Sequence, residues 1–280
     1  MKLILPVICF FCLLHFQGKC DGEFKVLGAR ASGMGGVSVT AYDQWSAGNN
    51  QAGNAWIPGI SCGLFYENRF MVKELSYQAF AVTMNGKPGA FSAVCVHFGT
   101  SLYNETKAGC AYSRKFGKHF STGVQVDYYR IQIADGYGSK NLFNCELGLM
   151  FMPDRHWVVG FHCLNPVPVR ILSGMDESLS TLILLGLSYC YSDALILSAE
   201  VEKDILNKPL VRIGAEYRFA RILSARIGVN TVPFQFSIGA GILAGRFSID
   251  LASEYHQYLG FSPSVSLQYQ IRNEKKIHAH

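Results

Sequence analysis

From about residue 59 to residue 272, apolar and polar side chains exchange faces in segment after segment. In 210–220, Val211, Ile213, Ala215, Tyr217 and Phe219 share one face, while Arg212, Gly214, Glu216 and Arg218 share the other. Leu223, Ala225, Ile227 and Val229 then oppose Ser224, Arg226, Gly228 and Asn230. Three more segments repeat the pattern, led by Phe234–Ile242, Phe247–Tyr255 and Val265–Ile271. A period of two belongs to extended chain, and a face that stays apolar along its whole length marks a strand with one side in apolar surroundings. Less regular alternation at 59–67, 75–84, 89–98, 106–116, 119–132, 141–152, 156–164, 178–191 and 194–201 brings the total to about fourteen strands.

Strand length narrows the choice. Most of these segments run to about 8–13 residues, whereas a globular strand has about 5–6 and a tilted membrane-crossing strand about 9–11. Composition agrees: charged residues are only 16% of the 280-residue chain, against 28 Gly, 19 Phe and 14 Tyr. Beyond the N-terminus, no run of about 18 residues lacks polar breaks, which argues against membrane-crossing helices. In hydrocarbon an unpaired backbone N–H or C=O costs several kcal/mol, so a sheet that crosses a bilayer has no edges and closes on itself. The expected fold is all-β: a closed antiparallel transmembrane barrel of about fourteen strands, apolar outside and polar within.

The links provide an independent indication. Those near Asn85–Lys87, Gly117–Lys118, Pro153–Arg155, Ser192–Asp193, Ala220–Arg221 and Gly245–Arg246 are tight. The intervening ones read as longer: Asn68–Glu74, Thr100–Glu105, Ala134–Lys140, Asn165–Glu177, Glu202–Asn207 and Gln257–Pro263, with only Asn230–Pro233 short. Alternation places all the tight links at one end, as in outer-membrane barrels with short periplasmic turns. Tyr128–Tyr129, Tyr189, Tyr191, Tyr255 and Tyr258 fall near strand ends, where aromatic girdles form.

Met1–Lys2, an apolar run from Leu3 to Phe16, and Gln17–Cys20 have the order of a secretory signal, read as residues 1–20. Its removal would take Lys2 and Lys19 from a formal net charge of +5, leaving a balance too weak to suggest nucleic acid. Lipidation at Cys20 is the alternative there. Cys62, Cys95, Cys110, Cys145, Cys163 and Cys190 sit in strand segments without C-x-x-C or zinc-ligand spacing, and read as small apolar fillers. No metal and no cofactor is expected. There is no P-loop and no G-x-S-x-G elbow, and His97, His119, His156, His162 and His256 are scattered over different strands. A non-enzyme is expected.

Residues 21–58 break the strand rhythm without the charge of a free tail, and are the candidate plug for a lumen that about fourteen strands leave open. The barrel is read as 59–272 and a short tail as 273–280. Gly28-Ala29-Arg30-Ala31-Ser32-Gly33-Met34-Gly35-Gly36, followed by Asn49-Asn50-Gln51-Ala52-Gly53, resembles the opening of PorV/PorQ-type outer-membrane proteins. These are similar in turn to the FadL-type long-chain fatty acid transporter barrels. In that superfamily a G-A-R-x-x-G-M-G-G opening precedes Asn-Pro-Ala-Gly and a barrel of fourteen strands; here Gln51 stands at the proline position.

The resemblance singles out Gly28, Arg30, Gly33, Met34, Gly35, Gly36, Asn50 and Gly53 as the plug motif. It implies one of two roles in the cell outer membrane. The first is a secretion-associated or scaffold barrel of the type IX kind, with secretion-machinery proteins or secreted cargo as partners. The alternative is a FadL-like passive transporter with a hydrophobic ligand in its lumen. A soluble secreted β-protein is a third reading, from a different class. On the polar faces of the tenth, eleventh and thirteenth strands, Arg212, Glu216, Arg218, Arg226, Asp250 and Glu254 are candidate lumen charges that hold the plug, with Arg30 or Asp43 as partners. Solvated lumen lining is the alternative for these six.

Overall fold

A computed structural model describes residues 25–134, 138–166, 169–170, 178–179, 181–204, 208–219 and 222–271. The signal reading of 1–20 and the tail at 273–280 lie outside these residues.

The strands are β1 (Ile60–Asn68), β2 (Ser76–Gly86), β3 (Gly89–Gly99), β4 (Tyr103–Phe116), β5 (Phe120–Ile133), β6 (Gly138–Phe151) and β7 (Trp157–Leu164). They continue with β8 (Val169–Arg170), β9 (Ser178–Leu179), β10 (Leu182–Cys190), β11 (Leu195–Asp204) and β12 (Leu210–Arg218). The last four are β13 (Leu223–Thr231), β14 (Phe234–Ala244), β15 (Phe247–His256) and β16 (Gly260–Ile271). All but β8 and β9 form one closed antiparallel barrel in chain order, β10 following β7 and β16 closing on β1. The closing pair runs from Ile60 opposite Ile271 to Glu67 opposite Ser264, so neither chain end of the barrel leaves an open edge.

The alternation read from the sequence sets which way each side chain points. Ile213, Tyr217, Ile227, Phe236 and Ile238 lie exposed on the outer wall, while Arg212, Glu216, Arg226, Ser237 and Asp250 are buried inside. Six aromatic contacts ring the end that carries Ile60 and Ile271: Phe91–Tyr112, Phe116–Phe120, Trp157–Tyr189, Tyr217–Phe219, Phe247–Tyr269 and Tyr189–Tyr191. That is an interfacial girdle at the tight-turn end. In one of those turns the Asp154 carboxylate accepts the amides of His156 at 2.7 Å and Trp157 at 3.0 Å, which holds it below the usual carboxylate range.

Two expectations need correction. The segment 178–191 is not one strand: Ser178–Leu179 pairs with Val169–Arg170 in a separate two-stranded sheet, and the barrel strand begins at Leu182. Asn165, at φ 50°, ends β7, and its carbonyl accepts the Thr181 hydroxyl at 2.6 Å, which closes the base of this excursion. The contrast in link length is also weaker than expected. Hairpin pairing continues through what read as loop, so β4 starts at Tyr103, β6 at Gly138 and β16 at Gly260, where His256 faces Gly260. Among the described residues, 69–75 remains a long excursion.

Ile238 lies midway along β14, flanked by Ile227 and Ser253, with its side chain on the outer wall. Ile238→Arg should destabilise the vesicle-embedded barrel by about 2–4 kcal/mol, and Ile238→Leu by much less, as read from denaturant titration in lipid vesicles. Equal stability of the two variants would mean that this wall does not face hydrocarbon.

Candidate functional site

Residues 25–58 fold back inside the cylinder before β1 begins. Gly28, at φ 97°, presses against the Trp45 indole, where a Cβ would overlap the ring. The short helix α1 (Ala29–Gly33) follows. Gly35, at φ 72°, donates its amide to Ser237 Oγ at 2.8 Å, a backbone shape that a side chain would strain. Gly36 lies beside the Arg212 side chain. The amides of Ser38 and Val39 both donate to the Glu200 carboxylate, at 2.7 and 2.8 Å. After a turn at 41–43, α2 (Ser46–Asn49) leads to Asn50, whose amide group donates to Val39 O at 2.6 Å and whose Oδ1 accepts from Ala52 N. A 3₁₀ segment, Gln51–Trp56, completes the path, with Trp56 Nε1 donating to Ser121 Oγ at 2.8 Å. Gly53 packs on Ala41 O and Ser46 Oγ, leaving no room for a Cβ.

The wall accommodates this segment with glycines. Gly214 and Gly228 face each other across β12 and β13, and a Cβ on either would collide with Met34 or Gly35. Gly160 and Gly186 face each other across β7 and β10, against Val39 and Thr40. Gly123 and Gly148 do the same across β5 and β6, where a Cβ on Gly123 would come within 2.7 Å of the Gln51 carbonyl carbon. Gly33 meets the bare backbone of Gly239 on β14. Main chain thus rests directly on main chain at four places around the wall. Trp45 and Phe65, edge-on at 5.7 Å, anchor the apolar part of the interior together with Leu27, Ala29 and Ala47.

Charges complete the fit. Glu216 receives Arg30 Nε at 2.8 Å, Arg226 Nε at 2.7 Å and Arg218 at 3.4 Å. Arg226 also reaches Asp250 at 2.7 Å, and Arg30 reaches Asp43 at 3.2 Å. Of the sequence-predicted charges, Glu216, Arg218, Arg226 and Asp250 therefore meet in one network with Arg30 and Asp43. Arg212 and Glu254 do not. Arg212 binds Glu200 and Glu202, each at 2.6 Å, and Glu254 shares Lys25 with Glu67 near the opposite end. Burial alone would lower the Lys25 ammonium, but Glu254 and Glu67 outweigh it and raise its pKa.

Sequence reasoning missed two groups. Glu67, Glu200 and Glu202 bind the segment or its partners, and Lys107, Asp127, Glu146 and His162 form a buried cluster that holds Gln51 Nε2 on Glu146 at 2.6 Å. The signal was available: each of these strand residues shares its parity with buried Ser or Gly neighbours on the same strand. His97, His119 and His156 bind Thr106, Met152 O and Cys190 O respectively, in three separate surroundings.

Between the segment and strands β10–β16, toward the tight-turn end, lies a cavity of about 340 Å³. Its lining includes the Arg30–Glu216–Arg226–Asp250 network and the aliphatic side chains of Ile196, Ile222 and Leu243. Three guanidiniums face three carboxylates there, so the lining combines charge-balanced polar groups with aliphatic ones. Such a lining suits a small, mostly apolar molecule.

No protein-family model and no curated protein matches the chain. Solved structures do match in fold. The Ralstonia pickettii toluene transporter TbuX superposes with a TM-score of 0.71 at 11% identity, covering 89% of this chain and 100% of that one. The Pseudomonas putida toluene transporter TodX gives 0.70 at 12% identity, with 89% and 100% covered. A Pseudomonas aeruginosa FadL homologue gives 0.66 at 13% identity, with 85% and 97% covered. The fold is that of FadL-type outer-membrane barrels.

Two substitutions separate seating from barrel integrity. Gly228→Ala should cost about 1–3 kcal/mol by overpacking against Met34 and Gly35. It should expose residues 25–57 to protease while the barrel keeps its heat-modifiable gel mobility. Glu216→Gln, which removes the shared anion of three guanidiniums, should cost on the order of 3 kcal/mol in a denaturant titration.

Proposed function

We propose that the chain is an outer-membrane channel for passive passage of hydrophobic small molecules, with residues 25–58 as its plug. The observation that carries this reading is the interior itself. The barrel wall is complete, its own N-terminal segment occupies the lumen, and a cavity of about 340 Å³ with partly aliphatic lining remains between that segment and the wall. The two toluene transporters of the same fold support the same class of cargo.

The secretion reading rests on the glycine-rich opening. Inside the barrel, Gly28, Gly33, Met34, Gly35 and Gly36 all spend their contacts on seating the segment: on Trp45, Gly239, Gly214, Ser237 and Arg212. None is presented to an outside partner, since Gly28 and residues 31–40 are all buried. The motif is explained by packing and does not itself call for secretion machinery. Asn50 and Gly53 serve the same purpose at the second half of the segment.

Orientation follows the ordinary rule: the tight-turn end with both barrel termini faces the periplasm. The cavity then lies on the exit side.

The test is uptake. Cells of a host lacking its own hydrocarbon channels, with and without this protein in the outer membrane, are given radiolabelled toluene at low concentration. Expression should raise the initial uptake rate several-fold, and Gly214→Trp, which drives an indole into the seated segment's place, should change that rate. Equal rates with and without the protein, together with stoichiometric co-purification of secretion components, would replace this reading with the secretion one.

A further inference from the structure

The seated segment is not uniformly held. Residues 31–40 and 44–55 are buried without a break. Between them Ala41 and Asp43 are half-buried and Tyr42 is 48% exposed, and these three residues face the cavity. Among the described residues, no backbone hydrogen bond engages the amides of Tyr42 or Asp43. No wall glycine contacts this turn either, in contrast to the stretches on each side of it.

Within the segment the Ala41 and Asp43 carbonyls accept the Ser46 hydroxyl and amide, at 2.9 and 3.0 Å, and one carboxylate ties the turn toward the wall. Asp43 Oδ1 accepts the Trp45 amide at 2.9 Å, which shapes the turn from within. Asp43 Oδ2 meets Arg30 Nη1 at 3.2 Å, and Arg30 Nε is fixed on Glu216 of the wall. The Arg30 and Asp43 side chains are 23% and 21% exposed, whereas Arg226, Glu216 and Asp250 are all at 5% or less. A partly solvated pair is screened by salt and held less firmly than a buried one. Of the two ion pairs that Arg30 makes, the one to Asp43 is therefore the weaker, and through it the turn is tied to an arginine that the wall holds.

We infer that Ala41–Asp43 is the moving part of an otherwise fixed plug, with the Arg30–Asp43 pair as its latch and Tyr42 as the flap over the cavity. Release of the latch swings Tyr42 away from the space below the segment, and the glycine-seated stretches stay in place. This deepens the channel reading and rests on it for its purpose, but its test does not require that any solute be carried.

The test is hydrogen exchange by mass spectrometry on the full mature chain in lipid nanodiscs. Peptides covering Tyr42 and Asp43 should exchange at least about tenfold faster than those covering Ser38 and Val39. Asp43→Asn should raise the rate at 41–43 about tenfold further and leave Ser38 and Val39 unchanged, while Asp43→Glu stays near the parent. In planar bilayers bathed in KCl, Asp43→Asn should open more often than the parent, and higher salt should bring the parent toward the variant. Uniform exchange across 25–57, or release of Ser38 and Val39 together with the turn in Asp43→Asn, would overturn the latch. So would unchanged exchange at 41–43 in Asp43→Asn. A protein that fails the toluene assay yet shows the local exchange keeps the latch and loses the channel reading.

Discussion

Everything in this molecule follows from the requirement that each backbone N–H and C=O in hydrocarbon finds a partner within the sheet. That requirement joins β16 to β1 in register and forbids an edge. Closure of fourteen strands then creates a lumen wider than the strands' own side chains fill. An empty lumen would leave an unspecific pore. The chain instead returns its own N-terminal residues to the interior, and the rest of the interior chemistry is the consequence of fitting one stretch of main chain against fourteen strands of it.

The fit uses two devices with different costs. Where segment backbone meets wall backbone, facing glycines at 123 and 148, 160 and 186, and 214 and 228 remove the side chains that would hold the two apart. Glycine in a strand gives up side-chain packing and conformational restriction, so such pairs are placed where close approach requires them. Where the segment's polar groups meet the wall, buried carboxylates supply acceptors: Glu200 for the Ser38 and Val39 amides, Glu216 for Arg30 and Glu146 for Gln51. Each of these carboxylates also holds a wall cation, Arg212, Arg226 or Lys107, so no anion is left uncompensated away from water.

The barrel was legible because its rule is local. Period two decides the face of every residue, and Ile213, Tyr217 and Ile227 point outward as their parity requires. The division of labour among the interior charges was much less legible. Glu216, Arg226 and Asp250 announce themselves on clean strands, yet whether Arg212 joins them depends on strand stagger, which a one-dimensional pattern does not carry. Stagger sends Arg212 to Glu200 and Glu254 to Lys25. Lys107, Asp127 and Glu146 lie on strands whose alternation is blurred by Gly109, Gly123 and Gly148, the same glycines or neighbours that make room for the segment. Link length misled for a related reason: polar, glycine-bearing stretches such as Gly138–Lys140 and Gly260–Pro263 read as loop but pair as strand beyond the apolar belt.

Identity of only 11–13% to barrels with TM-scores of 0.66–0.71 shows how little the fold asks of particular residues. Lipid accepts any apolar side chain, so the outer face drifts freely. The interior cannot drift in the same way, because a Cβ at Gly214 or Gly228 strikes Met34 or Gly35, and an unpaired buried carboxylate carries a penalty of several kcal/mol. What distinguishes this protein from others of its shape is therefore written in the contacts between residues 25–58 and the wall. Between residues 31 and 55 burial is unbroken except at Ala41–Asp43. Displacing the rest of the segment would unseat backbone from four glycine contacts at once. The turn at Ala41–Asp43 is tied to Arg30 by a solvent-accessible ion pair, and it borders the cavity.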